Sequence, residues 1–129
     1  MKSANKIRIG IVGVGHLGDF HLKQLNRIYN VFISGIYDND ISRAEEISKK
    51  YNVQNHTSLQ SLLKNSDAIS IVTPTKTHFS IATSALNEEC HVFIEKPITD
   101  NINDANRLIK KAKELNKIIQ VGHIERFNP

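Results

Sequence analysis

Residues Ile7–Gly18 read IRIGIVGVGHLG. Isoleucine and valine dominate the first half of this stretch, as in a strand buried on both faces. A Gly13-x-Gly15-x-x-Gly18 turn follows, and an amphipathic segment comes after it. In a strand–turn–helix unit Gly13 lets the chain turn sharply, Gly15 lets a pyrophosphate approach the backbone, and Gly18 lets the helix pack against the sheet. The helix N-terminus then offers free N–H groups and a positive partial charge to phosphates. Val14, His16 and Leu17 complete the loop as candidate cofactor-binding residues, with His16 placed over the pyrophosphate.

Asp38 closes the next apolar run, 20 residues beyond Gly18. That matches the spacing of about 20 for a carboxylate that bonds the adenosine ribose hydroxyls. A carboxylate there repels a 2′-phosphate, so NAD is favoured over NADP. A glycine turn without any nucleotide is one alternative. A methyl-donor (SAM) site, which also uses a glycine-rich first loop, is the nearer one. The strand before, the helix after and the acid at the right distance together favour the dinucleotide.

Working outward, apolar runs alternate with helical periodicity along the whole chain. Strands are predicted at Ile7–Val12, Val31–Tyr37, Ala68–Val72, His91–Ile94 and Ile118–Val121. Helices are predicted at His16–Ile28, Ile41–Tyr51 (capped by Asp40), Ser58–Leu63, Thr77–Asn87 and Asn101–Leu115. Ile41, Ala44, Ile47 and Tyr51 share one face of the second helix. Strands separated by helices at this spacing imply a doubly wound α/β fold with a parallel sheet, the Rossmann dinucleotide-binding arrangement.

Composition agrees with one globular domain: 129 residues, 40% hydrophobic and 23% charged. No apolar run approaches the ~20 residues of a membrane span, and MKSANK at the N-terminus lacks the apolar centre of a secretory signal. A single cysteine, Cys90, excludes an internal disulfide and suits a reducing cytoplasm. It reads as a small buried hydrophobe. The net charge of +4 gathers partly in Arg107, Lys110, Lys111, Lys113 and Lys117. These lie opposite an apolar side formed by Ile102, Ala105, Leu108, Ile109, Ala112 and Leu115. A solvated helix face is the reading, and no nucleic-acid partner is expected, because neither stacking aromatics nor a reading motif lies nearby.

In such sheets ligands lie outside the carboxyl ends of the strands. The third strand ends in Thr73-Pro74-Thr75-Lys76-Thr77-His78, the fourth in Glu95-Lys96-Pro97 and the fifth in Gly122-His123-Ile124-Glu125-Arg126-Phe127. Lys96 beside a nicotinamide can hydrogen-bond a substrate hydroxyl, or take its proton as the neutral amine. Glu95 can orient that lysine or bond the nicotinamide ribose. Lys96–Pro97 is a candidate cis bond. The plain alternative is a surface Glu–Lys pair ahead of a proline that opens a helix. His21 reads as a helix residue packing on the sheet, and His56 and His91 as structural. No metal site is expected, because no histidine has a ligand partner at the right spacing.

The order Gly-x-Gly-x-x-Gly, Asp38, Thr73-Pro74 with His78, then Glu95-Lys96-Pro97, resembles the glucose–fructose oxidoreductase / inositol dehydrogenase / MocA family over essentially the whole chain. The resemblance implies that Lys96 contacts the reacting part of the substrate and that Glu95 lies along the cofactor, with Pro97 beside it. It also implies that Thr73, Pro74, Thr75 and His78 lie close to the cofactor. Thr75 stands where the family often has Asn. The ending Val121–Pro129 is similar to a subgroup of nucleotide-sugar dehydrogenases that oxidise the 3-hydroxyl of UDP-N-acetylglucosamine-type substrates. Arg126 would then lie near the substrate mouth, and His123 would reach the nicotinamide end.

The family also implies a second, substrate-holding domain. Residues 1–122 are thus expected to form the NAD domain and 123–129 to begin the connection to a domain absent from this chain. The parent would be a homo-oligomeric oxidoreductase acting on a sugar, nucleotide-sugar or cyclitol, and this chain alone would be inactive. The competing expectation is a non-catalytic NAD-binding sensor or scaffold.

Overall fold

A computed structural model describes residues 6–122. Apolar runs rich in β-branched residues form β1 (Ile7–Val12), β2 (Val31–Tyr37), β3 (Ala68–Ile71), β4 (His91–Glu95) and β5 (Ile119–Gly122). Between them lie α1 (His16–Leu25), α2 (Ile41–Tyr51), α3 (Leu59–Lys64), α4 (His78–Asn87) and α5 (Ile102–Glu114). All the pairings are parallel, and the strand order is β2-β1-β3-β4-β5. The chain therefore crosses from β1 to β2 on one side and then returns past β1 to β3 on the other, and the switch point falls between β1 and β3.

The helix starts follow capping chemistry. Asp40, Ser58 and Asn101 accept hydrogen bonds from the backbone N–H groups of Arg43, Ser61 and Asp104. α1 begins at Gly15 with no side-chain cap. α1 stops at Leu25 rather than Ile28, where the chain tightens into bonds from Arg27 N–H to Gln24 O and Ile28 N–H to Leu25 O. A 3₁₀ turn over Thr75–Thr77 precedes α4.

The sheet is covered on both faces. Ile11, Val14, Leu22, Ile36, Ala44 and Ile47 form the core under α1 and α2. A larger core under α3, α4 and α5 joins Leu62, Ile69, Ile71, Leu86, Ile94 and Leu108. Cys90 is fully buried in it, and burial pushes its thiol up to about 11, so it behaves as a small apolar group.

Two expectations need correcting. Ile41 is 72% exposed and Ile102 is 76% exposed, while Ile109 and Leu115 are also exposed. Only Leu108 and Ala112 of α5, four residues apart, are buried. The apolar stripe is wider than the line along which the helix meets the core, and periodicity cannot show that width. The sequence also hid an outer strand fragment. Ile36 N–H bonds Gln54 O and His56 N–H bonds Ile36 O, each at 2.9 Å, which lays residues 53–56 along β2. His56 holds this edge by facing Ser34 O at 3.0 Å and Ser61 Oγ at 2.9 Å.

Candidate functional site

The glycine loop leaves the carboxyl end of β1 under tight steric control. Gly13 has φ +94°, and a Cβ there would sit 2.6 Å from Val72 O. A Cβ on Gly18 would sit 2.0 Å from Gly13 O, closer than any side chain tolerates. Gly15 differs: a Cβ there would meet nothing within 4 Å. Its missing side chain leaves open space in front of the uncapped N-terminus of α1, as an incoming phosphate requires.

Asp38 at the end of β2 shapes the same loop. Its Oδ2 accepts the Val14 N–H at 2.7 Å and its Oδ1 accepts the Asp40 N–H at 2.8 Å. Arg43 Nε donates to Val14 O at 2.8 Å. An acidic and a basic side chain thus hold the two backbone polar groups of Val14, Asp38 its N–H and Arg43 its C=O, while the Val14 side chain is buried in the core. Sequence reasoning treated Asp38 only as a ribose ligand and missed Arg43 altogether. The contribution of Val14 is the shape of the loop.

A cleft of about 570 Å³ opens here, at the switch point between β1 and β3. Gly13, Gly15, Asp38, Thr73 and Pro74 all line it, together with Tyr37, Asn39, Leu59 and Ile81. An apolar wall with a few convergent polar groups is the usual make-up of a small-molecule site. His16 and Leu17 are exposed on the loop beside it. Thr73 and Thr77 join their hydroxyls at 2.6 Å, and the Thr77 hydroxyl also donates to Pro74 O, so this rim is held by its own side chains.

Thr75, His78, Glu95, Lys96 and Pro97 stand outside that cleft's lining. Lys96 and Pro97 are exposed at the end of β4, their peptide bond is cis, and the Lys96 N–H meets Gly122 O at 3.3 Å. His78, expected close to the cofactor, has its side chain turned away from the cleft. It is 1% exposed, with Nδ1 facing Pro97 O at 3.0 Å and Nε2 facing Thr73 O at 2.9 Å. Its ring is turned inward from the start of α4 and staples the β3 and β4 loops together. Glu95 is buried as well, with Oε2 3.5 Å from Nε2 of His21. Burial holds the His21 ring below its ordinary value of 6.5, against the opposing pull of Glu95. His123 and Arg126 lie outside the described residues. Among the described residues no group of three His, Cys, Asp or Glu is placed to hold a metal ion, and no helix is long and apolar enough to cross a membrane.

Known proteins share this fold. Residues 7–123 match an oxidoreductase family with an NAD-binding Rossmann fold. The UDP-N-acetylglucosamine 3-dehydrogenase of Acidithiobacillus ferrooxidans is 39% identical over 123 residues, 95% of this chain and 39% of that protein. Its solved structure superposes with a TM-score of 0.90 over 96% of this chain and 40% of that one. The myo-inositol 2-dehydrogenase of Thermotoga maritima is 30% identical over 95% of this chain and 37% of its own length. A protein of gentamicin A biosynthesis solved in complex with NAD has a TM-score of 0.88 at 22% identity, which shows the shared fold. The chain thus spans about two fifths of the length of these relatives.

Proposed function

This chain belongs to the oxidoreductase family with an NAD-binding Rossmann fold, and from that premise we propose that it is the cofactor-holding part of a dehydrogenase. The substrate class is a sugar, nucleotide-sugar or cyclitol, oxidised at a CH–OH carbon. One observation carries this reading: the open space at Gly15, in front of the uncapped α1 and beside Asp38, at the switch point of the sheet.

The residues present fit NAD. The backbone at Gly13–Gly18 and the first turn of α1 receive the pyrophosphate, with His16 and Leu17 at its exposed side. Asp38 keeps free lone pairs for the adenosine ribose hydroxyls and repels a 2′-phosphate. Thr73 and Pro74 form the wall beyond, with Thr75 next to them in the turn that leads to α4. When bound, the nicotinamide supplies the acceptor for the hydride leaving the substrate carbon. Lys96, exposed at the end of β4, hydrogen-bonds the substrate hydroxyl and takes its proton as the C=O bond forms. Pro97 fixes the direction of the chain after it. His123 and Arg126 face the substrate in this reading.

The NAD domain closes at residue 122, and residues 123–129 lead toward a substrate-holding domain. The family match over 7–123 and the greater length of the relatives support that division. The similarity to the Acidithiobacillus enzyme favours a UDP-N-acetylamino sugar over a free cyclitol. A cytoplasmic setting suits the single buried thiol. The whole protein works as a homo-oligomer in this reading.

The test is NADH formation by the whole protein with UDP-N-acetylglucosamine, and with myo-inositol as the rival substrate. Lys96→Ala should lower kcat by about 10²-fold or more while leaving NAD affinity within a few-fold. Equal losses in both would remove Lys96 from the chemistry. Robust NAD binding with no turnover of any CH–OH substrate would favour a sensor or scaffold.

A further inference from the structure

A buried polar chain runs beneath the end of β4, and the proposed reaction does not use it. His21, on the second turn of α1, is 5% exposed. Its Nδ1 meets Ser70 Oγ of β3 at 2.9 Å, and its Nε2 faces Glu95 Oε2 of β4 at 3.5 Å. The ring also tilts against Phe93, with centroids 5.6 Å apart. A leucine or methionine would fill this place without desolvating a polar ring, so packing alone does not account for a histidine.

The placement of the chain does account for it. Glu95 immediately precedes Lys96, and His21 lies on the same helix whose N-terminus faces the cleft. On the other side of Lys96, His78 already grips the carbonyl of Pro97. We propose that His21 is a positioning residue for Lys96: by linking Ser70 to Glu95 it fixes the end of β4 relative to the helix that receives the cofactor. The inference rests on reading Lys96 as the substrate-facing group. With the ring neutral, Nδ1 accepts the Ser70 hydroxyl and Nε2 carries the proton on the side of Glu95, an assignment that satisfies the Ser70 end and leaves Nε2–H in a long polar contact with the carboxylate. The 3.5 Å separation exceeds that of a well-formed hydrogen bond, so the link to Glu95 is the weaker of the two.

Amide hydrogen exchange of this chain without cofactor tests the link, with the Lys96 N–H as reporter and β1 amides as the reference for global opening. The side-chain amide of glutamine reaches where Nε2 sits, and that of asparagine where Nδ1 sits. His21→Asn keeps the Ser70 end and loses Glu95. It should speed Lys96 exchange by about fivefold relative to the β1 amides, somewhat below the worth of a well-formed buried hydrogen bond, because this contact, though long, is the one that reaches the residue next to Lys96. His21→Gln keeps the Glu95 end and should stay within about threefold of the parent. Equal changes at Lys96 and β1 in both variants would make His21 an ordinary core residue and overturn the proposal. So would a selective rise in both variants alike, or no rise in either. If His21→Asn does not fold, Ser70→Ala serves in its place. It frees the other end of the ring and should raise Lys96 exchange selectively by about threefold, whereas an unchanged rate would overturn the link. Because neither cofactor nor substrate is present, this result stands whichever way the Lys96→Ala turnover assay comes out.

Discussion

The two halves of the sheet's carboxyl edge are shaped by opposite means. Around β1 and β2 the decisive feature is absent side chains: Gly13 and Gly18 let backbone pass within van der Waals contact, and Gly15 leaves room for a ligand. Around β3 and β4 it is buried side chains, with His78 tying Thr73 to Pro97 and His21 lying between Ser70 and Glu95. The first half must bring backbone N–H groups up to a phosphate, which any side chain would obstruct. In the proposed reading the second half holds an exposed lysine still, with contacts on both sides of it.

This contrast orders the consequences of mutation. Gly18→Ala should do the most damage. Its Cβ would collide with the Gly13 carbonyl at 2.0 Å, and backbone cannot swing aside as a side chain can. A loss of about 3 kcal/mol or more in urea unfolding is expected, with NAD binding abolished in whatever still folds. A midpoint close to that of the parent would show the turn to be softer than the geometry implies. His78→Ala comes next. It removes the buried ring that lies between the Thr73 and Pro97 carbonyls and opens a cavity at the start of α4, at a cost of roughly 2–3 kcal/mol by the same measurement. Because His78 is not itself part of the cleft lining and reaches it only through the Thr73 carbonyl, NAD affinity should change less than stability does. An affinity loss larger than the stability loss would return His78 to the cofactor.

Asp38→Ala removes acceptors from two backbone N–H groups as well as the ribose partner. Stability should fall by about 1–2 kcal/mol, and preference for NAD over NADP should relax. Unchanged preference would mean that another residue reads the ribose.

How much of this was legible in the sequence follows the same division. β1, β2 and α2 are read to the residue because two apolar runs and one helical stripe are each bounded by local punctuation, Gly13, Asp38 and Asp40. The phosphate loop is equally legible, since its constraints act between residues a few positions apart. The His21–Ser70 link joins residues 49 apart in the chain, and nothing near either one announces the other. A weak signal did exist, since a histidine at a core-facing helical position implies polar partners to satisfy it. The fragment at 53–56 was invisible because Val53-Gln54-Asn55-His56 has no strand-like pattern. Exposure of Ile102 and Ile109 depends on where α5 lands, which periodicity does not encode.

The pH dependence of stability is the smallest effect and sharpens the comparison from the β3–β4 side. Burial lowers the His21 value in the folded chain below 6.5. The unfolded chain then binds the proton first as pH falls, so the contribution is complete above about 6.5 and is lost on acidification. It can reach at most about 1.4 kcal/mol per pH unit between the two values. His21→Gln should flatten the stability–pH curve just below pH 6.5. An unchanged curve would assign the acid sensitivity to other groups.

The most direct test compares this chain with Gly15→Ala by calorimetric titration with NAD and NADP. Gly15 has φ −68°, which alanine adopts freely, and its Cβ would enter empty space. The fold should therefore keep its stability within about 1 kcal/mol. The expected result is NAD binding to the parent with NADP clearly weaker, and at least about a tenfold loss of NAD affinity in Gly15→Ala. Equal NAD binding by the two proteins would contradict it, because the open space at Gly15 would then not be where the cofactor's phosphates lie.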